Sequence, residues 1–325
     1  MENAHHTVPR FERIKGIVTQ LPEVSRWPEM NELIQRAQHR EDRSIWEYPF
    51  AACIASGGTE AQALPCAAAI FCALTAIHLI DDLLDDDPNG YFHDLGVGRA
   101  ANLASAFQAA AHRLIENIPL ESRSVALQAQ LSRAFMATAR GQELDTVEVE
   151  TEADYWHRVE AKTPPLFAAA LALGGLIGGA PDQTVLDFEN LGRNLGKFIQ
   201  VSDDLGDALN TPASADWKRP RNNIALLYAL TAAHPDRDEF VRLAREANQP
   251  SALALAQKIL FKSGAVSYCA LQMDHFSTES RRQVQALSVQ SRAPLLRMVD
   301  RLVQPLEHLL SYRSRERPGG IAEPR

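Results

Sequence analysis

Apolar residues recur along this chain at three- and four-residue intervals, and no period-two alternation of useful length interrupts them. The pattern predicts an all-α protein. Helices are expected at Phe11–Leu21, Met30–Gln38 and Trp46–Ser56, with a turn at Trp27-Pro28 and a stop at Gly57-Gly58. From Glu60 to Asp86 the sequence is apolar nearly all round, which marks a central helix. Pro88-Asn89-Gly90 ends it. Further helices are read at Asp94–Asn117, Ser122–Val147, Glu152–Glu160, Leu166–Gly179 and Gln183–Asp207. Thr211–Arg221 reads as a polar and basic loop. Helices follow at Ile224–Ala233, Asp238–Ala247, Ala252–Lys262, Ala265–Phe276, Glu279–Leu287 and Ala293–Tyr312. No Pro/Ser/Gly linker divides the chain. The expectation is a loosely attached polar segment over residues 1–25, one all-α domain over 26–312, and a flexible tail over 313–325.

Composition narrows the class. A hydrophobic fraction of 46% over 325 residues suffices for a large core. The formal net charge of −8 argues against nucleic acid and anionic membrane as partners. The longest apolar run read as one segment, Leu166–Ala180, is shorter than the ~20 residues a bilayer requires, so no stable membrane insertion is expected. Cys53, Cys66, Cys72 and Cys269 lack metal-type spacing and read as buried free thiols. With no signal-peptide core in Met1–Arg10, they point to a reducing cytoplasm.

The candidate chemistry lies in acidic clusters at the ends of apolar helices. In Asp81-Asp82-Leu83-Leu84-Asp85-Asp86-Asp87, residues four apart share a face, so Asp81 and Asp85 form one column and Asp82 and Asp86 a second. Like charges this close need a cation. Carboxylates without His or Cys suit a hard divalent ion, Mg2+ above all. One such cluster also suits a solvated helix end. A second with the same spacing, Asp203-Asp204-Leu205-Gly206-Asp207 after Gln200, suggests two clusters facing each other across a bundle. Mg2+ shares its coordination with substrate phosphates, so a diphosphate substrate follows.

In these motifs the chain resembles the trans-isoprenyl diphosphate synthases, within the class I isoprenoid synthases. Gly141-Gln142-x-x-Asp145 and Lys162-Thr163 stand between the two Asp motifs as in that family, and Gln200 occupies the family's place before the second. The resemblance implies an all-α bundle around a central active-site cavity, a homodimer and three Mg2+ ions. Asp81 and Asp85 would hold two ions and Asp203 the third, with Asp82, Asp86 and Asp207 assisting. It further implies that Lys162, Thr163, Gln142, Gln200, Lys218, Arg219 and Arg221 bind the diphosphate, though the basic motif near Arg219 is altered. Leu74, Thr75, Ala76 and Ile77, with Phe167 and Phe198, would line a prenyl pocket, where the small Ala76 leaves depth.

One departure stands out. Where elongating members carry Gly-Gly-Lys-Arg, this chain has Gly57-Gly58-Thr59-Glu60, and no Arg pair follows the first Asp motif before Arg99. Each lost charge-assisted contact is worth ~1.5–3 kcal/mol. The expectation is therefore an Mg2+-dependent enzyme that ionises a prenyl diphosphate, then cyclises it or transfers it to an acceptor other than isopentenyl diphosphate. The alternative is an ordinary chain-elongating synthase. A third reading, a non-catalytic synthase partner, sits badly with two retained Asp motifs.

Overall fold

The computed structural model describes residues 9–36, 45–116, 118 and 121–315, and no strand occurs among them. Sixteen α-helices are described: α1 (Arg10–Thr19), α2 (Pro22–Ser25), α3 (Pro28–Arg36), α4 (Tyr48–Ala55), α5 (Glu60–Asp85), α6 (Phe92–Leu95), α7 (Val97–Glu116), α8 (Glu121–Asp145), α9 (Glu152–Lys162), α10 (Pro164–Ile177), α11 (Asp182–Leu209), α12 (Ile224–Thr231), α13 (Arg237–Ala244), α14 (Pro250–Ser263), α15 (Ala265–Ala286) and α16 (Ala293–Arg315).

The core is built on α5, α10 and α11. The start of α5 is fixed by reciprocal capping: Gln62 N–H donates to Thr59 Oγ1 at 3.3 Å, and Thr59 N–H donates to Gln62 Oε1 at 2.9 Å. Its length and apolar character would suffice to cross a membrane, but it is a core helix, packed by α1, α4, α7, α8 and α10. Every residue of α10 is buried. A β-carbon at Gly192 of α11 would stand 2.4 Å from the Phe167 carbonyl oxygen of α10, so these two helices meet at backbone distance.

Several elements differ from expectation. α1 is not loosely attached; Ile14 and Val18 are fully buried in the core. Gly96, at φ 86°, separates α6 from α7 where one helix was expected. The segments Ala265–Phe276 and Glu279–Leu287 are one helix, α15. Ser277 and Ser280 do not break it because their hydroxyls fold back onto the Asp274 and Phe276 carbonyls, at 3.0 and 2.8 Å. Helix α16 runs to Arg315, and the rest of the expected tail lies outside the described residues.

Candidate active site

Phe71, Leu74, Thr75, His78, Asp81 and Asp85 recur at three- and four-residue steps on α5, and all six line one cavity of about 820 Å3, as does Ile77. Ala76 does not. It lies about 100° round the helix from Thr75 and is 1% exposed in the packed core. Phe198 is likewise core, and its neighbours Ile199 and Gln200 reach the cavity instead. Phe167 lines the cavity, with Leu166, Ile45 and Trp46.

At the cavity mouth α8 supplies a third carboxylate. Oxygens of Asp81, Asp85 and Asp145 lie within 4.8 Å of one another. The approach depends on Gly141, where a β-carbon would stand 2.4 Å from the Lys162 backbone. Gln142 Nε2 donates to Asp81 Oδ1 at 2.8 Å, and Lys162 Nζ stands 3.1 Å from that oxygen while pairing also with Asp145. Arg219 pairs with Asp85 and donates to the Asp145 carbonyl at 3.1 Å. Buried Arg158 pairs with Asp145 and donates to the Asn222 carbonyl.

These contacts set the charge states. Burial raises the Asp85 carboxyl, with Lys162 partly opposing. Burial would also raise Asp145, but Lys162 and then Arg158 outweigh it, and the carboxyl lies below its ordinary range. Burial disfavours the Lys162 ammonium, yet Asp81 and Asp145 hold its pKa above normal, so it stays charged.

Asp203 and Asp207 face the same cavity from α11. Asp204, 2% exposed, plays another part. It accepts from the Tyr155 hydroxyl at 2.8 Å, the Ile224 amide at 2.7 Å and Gln200 Nε2 at 2.8 Å. Thr163 Oγ1 donates to Gln200 Oε1 at 2.5 Å, joining α9, α10 and α11 beneath the mouth. Asn223 Nδ2 bridges the Asp204 carbonyl, at 2.6 Å, and Asp216 Oδ2, at 2.7 Å. Burial, then neighbouring Asp216, raises the Asp204 carboxyl.

Besides Ala76 and Phe198, four more expected residues stand off the cavity wall. Asp82 is not part of its lining, and Asp86 does not continue its column: α5 ends at Asp85, and Asp86 turns left-handed at φ 50°. Its side chain is 79% exposed, 3.8 Å from that of Lys218, which is 61% exposed. Arg221 instead ties its loop to the α8–α9 connection, its amide bonding Glu148 Oε1 and its guanidinium the Glu150 carbonyl, both at 3.0 Å. Thr59 and Glu60 cannot act on a diphosphate at the mouth. They begin the helix that ends in the Asp motif, about 30 Å from Asp81 at 1.5 Å per residue. Glu60 is moreover held by Arg10 and Arg13. Glu60 therefore stands too far from the mouth to repel a second diphosphate there.

Sequence reasoning passed over Asp145 as a site residue although its motif was visible. Arg158, Tyr155, Asp216, Asn222 and Asn223 carry no local pattern, since their partners come from distant segments; Asp204 was visible in the second Asp motif, but not its structural part. Phe71 could have been found by extending the helical stripe below Leu74, whereas Trp46 comes from the separate short turn Ile45–Glu47 and carries no such signal.

The sequence matches the polyprenyl synthetase family over residues 39–260. A short chain isoprenyl diphosphate synthase of Methanothermobacter thermautotrophicus is 28% identical, over 78% of this chain and 83% of that protein. A geranylfarnesyl diphosphate synthase of Aeropyrum pernix is 29% identical, over 75% and 83%. Among solved structures, a polyprenyl synthase from Caulobacter crescentus, complexed with calcium and isoprenyl diphosphate, superposes with a TM-score of 0.78 at 21% identity, covering 90% of this chain and 93% of that one. That similarity shows the shared fold.

Proposed function

This chain belongs to the polyprenyl synthetase family, and from that premise we propose that it is a chain-elongating isoprenyl diphosphate synthase. It is a prenyltransferase, an enzyme acting on prenyl diphosphates. The observation that carries the prenyl diphosphate reading is one cavity with two ends, and the isoprenyl and geranylfarnesyl diphosphate synthases among the relatives favour elongation. Its mouth holds Asp81, Asp85, Asp145, Asp203, Lys162 and Arg219; its far wall holds Trp46, Phe71, Leu74 and Phe167. An anionic head on an apolar tail fits that polarity.

The clustered carboxylate oxygens suit a hard cation. Asp81, Asp85 and Asp145 would hold Mg2+, and Asp203 with Asp207 a further ion, three in all in our reading. Bound Mg2+ supplies charge neutralisation for the departing diphosphate. Lys162 and Arg219 add fixed positive charge where negative charge develops. Gln142 orients Asp81, and the Thr163–Gln200–Asp204 chain holds α9 to α11. The allylic C–O bond breaks with its electron pair leaving on the diphosphate; the double bond of isopentenyl diphosphate supplies the pair for the new C–C bond, and a proton leaves the adjacent carbon. Aromatic faces on the wall favour the cationic fragment. We also propose a cytoplasmic homodimer; the four cysteines are free and buried, and Val125 and Met136 of α8 are exposed.

A second reading, cyclisation or transfer to another acceptor, keeps one observation. Among the described residues, the Lys and Arg side chains lining the cavity are Arg158, Lys162 and Arg219, each already paired with an aspartate of the mouth. Incubation with Mg2+ and farnesyl diphosphate, with and without isopentenyl diphosphate, separates the two. Longer prenyl diphosphates formed only with isopentenyl diphosphate support elongation. A hydrocarbon or alcohol formed without it supports the second reading.

A further inference from the structure

We propose that α1 is the floor plate of the prenyl cavity and that Phe11, behind its apolar wall, sets the longest chain accepted. The inference rests on the prenyl diphosphate reading above. Trp46 and Phe71 line the apolar end of the cavity, and the Phe11 ring contacts both. Its centroid lies 5.5 Å from that of Trp46, tilted by 42°, and 5.7 Å from that of Phe71, edge-on at 77°. Phe11 thus backs both wall rings from the side away from the cavity.

Two kinds of contact seat α1. Ile14 and Val18 are buried on its inner side. At its start, Arg10 donates to Glu60 Oε1 from Nε at 3.1 Å and from Nη2 at 2.5 Å, and Arg13 Nη1 donates to Glu60 Oε2 at 2.7 Å. Arg10 also lies over the Phe50 ring, 4.9 Å from its centroid. Glu60 opens α5, the helix that carries both Phe71 and the Asp motif. One rigid element therefore fixes the floor about 15 Å from Asp81, by ten residues of helical rise. The charge of Glu60 thus works on α1, far from any diphosphate. Phe11 touches no substrate in this scheme; it positions the rings that do.

The test compares wild type, Phe11→Ala, Phe11→Trp and Glu60→Gln for binding of unreactive thio-analogues of geranyl, farnesyl and geranylgeranyl diphosphate in Mg2+. Phe11→Ala is expected to move the affinity ratio about tenfold towards the longer analogue, the scale at which an apolar pocket discriminates by size. Phe11→Trp moves it towards the shorter, and Glu60→Gln shifts it as Phe11→Ala does, by a smaller factor. Thermal melts report folding, and if Phe11→Ala does not fold, Phe11→Leu replaces it. Unchanged ratios in folded variants overturn this proposal alone. A wild type that binds none of the analogues overturns the prenyl diphosphate reading and this proposal with it.

Discussion

Lys162 stands between Asp81 and Asp145, and its charge is the hinge of the site's electrostatics. It keeps its proton because two carboxylates outweigh its burial. Replacing it with Gln leaves three carboxylates facing one another at the mouth with one fixed cation fewer. We expect Lys162→Gln to lower turnover by about two to three decades, the usual scale for one preorganised charge or donor. Steady-state rates at saturating Mg2+ check this, and a loss under threefold would remove Lys162 from the diphosphate site. Asp81→Ala and Asp203→Ala should each abolish measurable turnover while the chain stays folded, Asp81→Ala with some loss of melting temperature because Gln142 and Lys162 lose a partner. Near wild-type rates in both variants would contradict the metal assignment. That Asp81, Asp85, Asp203 and Lys162 would share one site was legible, because it rests on spacing within one helix or one short motif, and all four line the cavity. Ala76 was misplaced for want of register: the stripe Phe71-Leu74-Thr75-His78-Asp81-Asp85 excludes position 76 from the cavity face. Arg158 and Asn222 could not be read at all, because the Asp145 contacts that define them span separate helices and a loop.

At the scale of elements, the site depends on close helix approaches and on the docking of α1. Gly141→Ala forces a β-carbon into the Lys162 backbone, and α8 must move away from α9. Overpacking of this kind costs ~1–3 kcal/mol, and Gln142 and Asp145 move with the helix. The expected result is a lower melting temperature together with weaker Mg2+-dependent activity; an unaltered melt and rate would show that the contact relaxes freely. The α1 latch gives a pH dependence. Hydrogen bonding from Arg10 first, with burial partly opposing, lowers the Glu60 pKa in the folded chain. Its stabilisation is therefore fully present above the unfolded value of about 4.3 and is lost as pH falls through the lower folded value. Fluorescence of Trp46, isolated by replacing the other three tryptophans, should report a step in that acid window. Glu60→Gln should remove the step, and its persistence would assign it to another group. Glu60 also shows why motifs need geometry: the Gly-Gly-Thr-Glu stretch looks like a degenerate diphosphate grip in sequence, yet the helix it starts carries it far from the mouth.

For the whole molecule, the all-α class and the central place of the Glu60–Asp85 helix followed from three- and four-residue periodicity, which survives any tertiary detail. The acceptor did not, because it depends on which cations converge on the cavity from different parts of the chain. Elongation requires two diphosphates bound at once, and the account stands or falls on the second. The direct measurement is calorimetric titration of isopentenyl diphosphate into enzyme loaded with Mg2+ and the thio-analogue of farnesyl diphosphate. The account predicts saturable binding with a micromolar Kd, about −8 kcal/mol. Absence of binding up to millimolar isopentenyl diphosphate, with the thio-analogue bound, would contradict it and leave cyclisation or transfer to another acceptor.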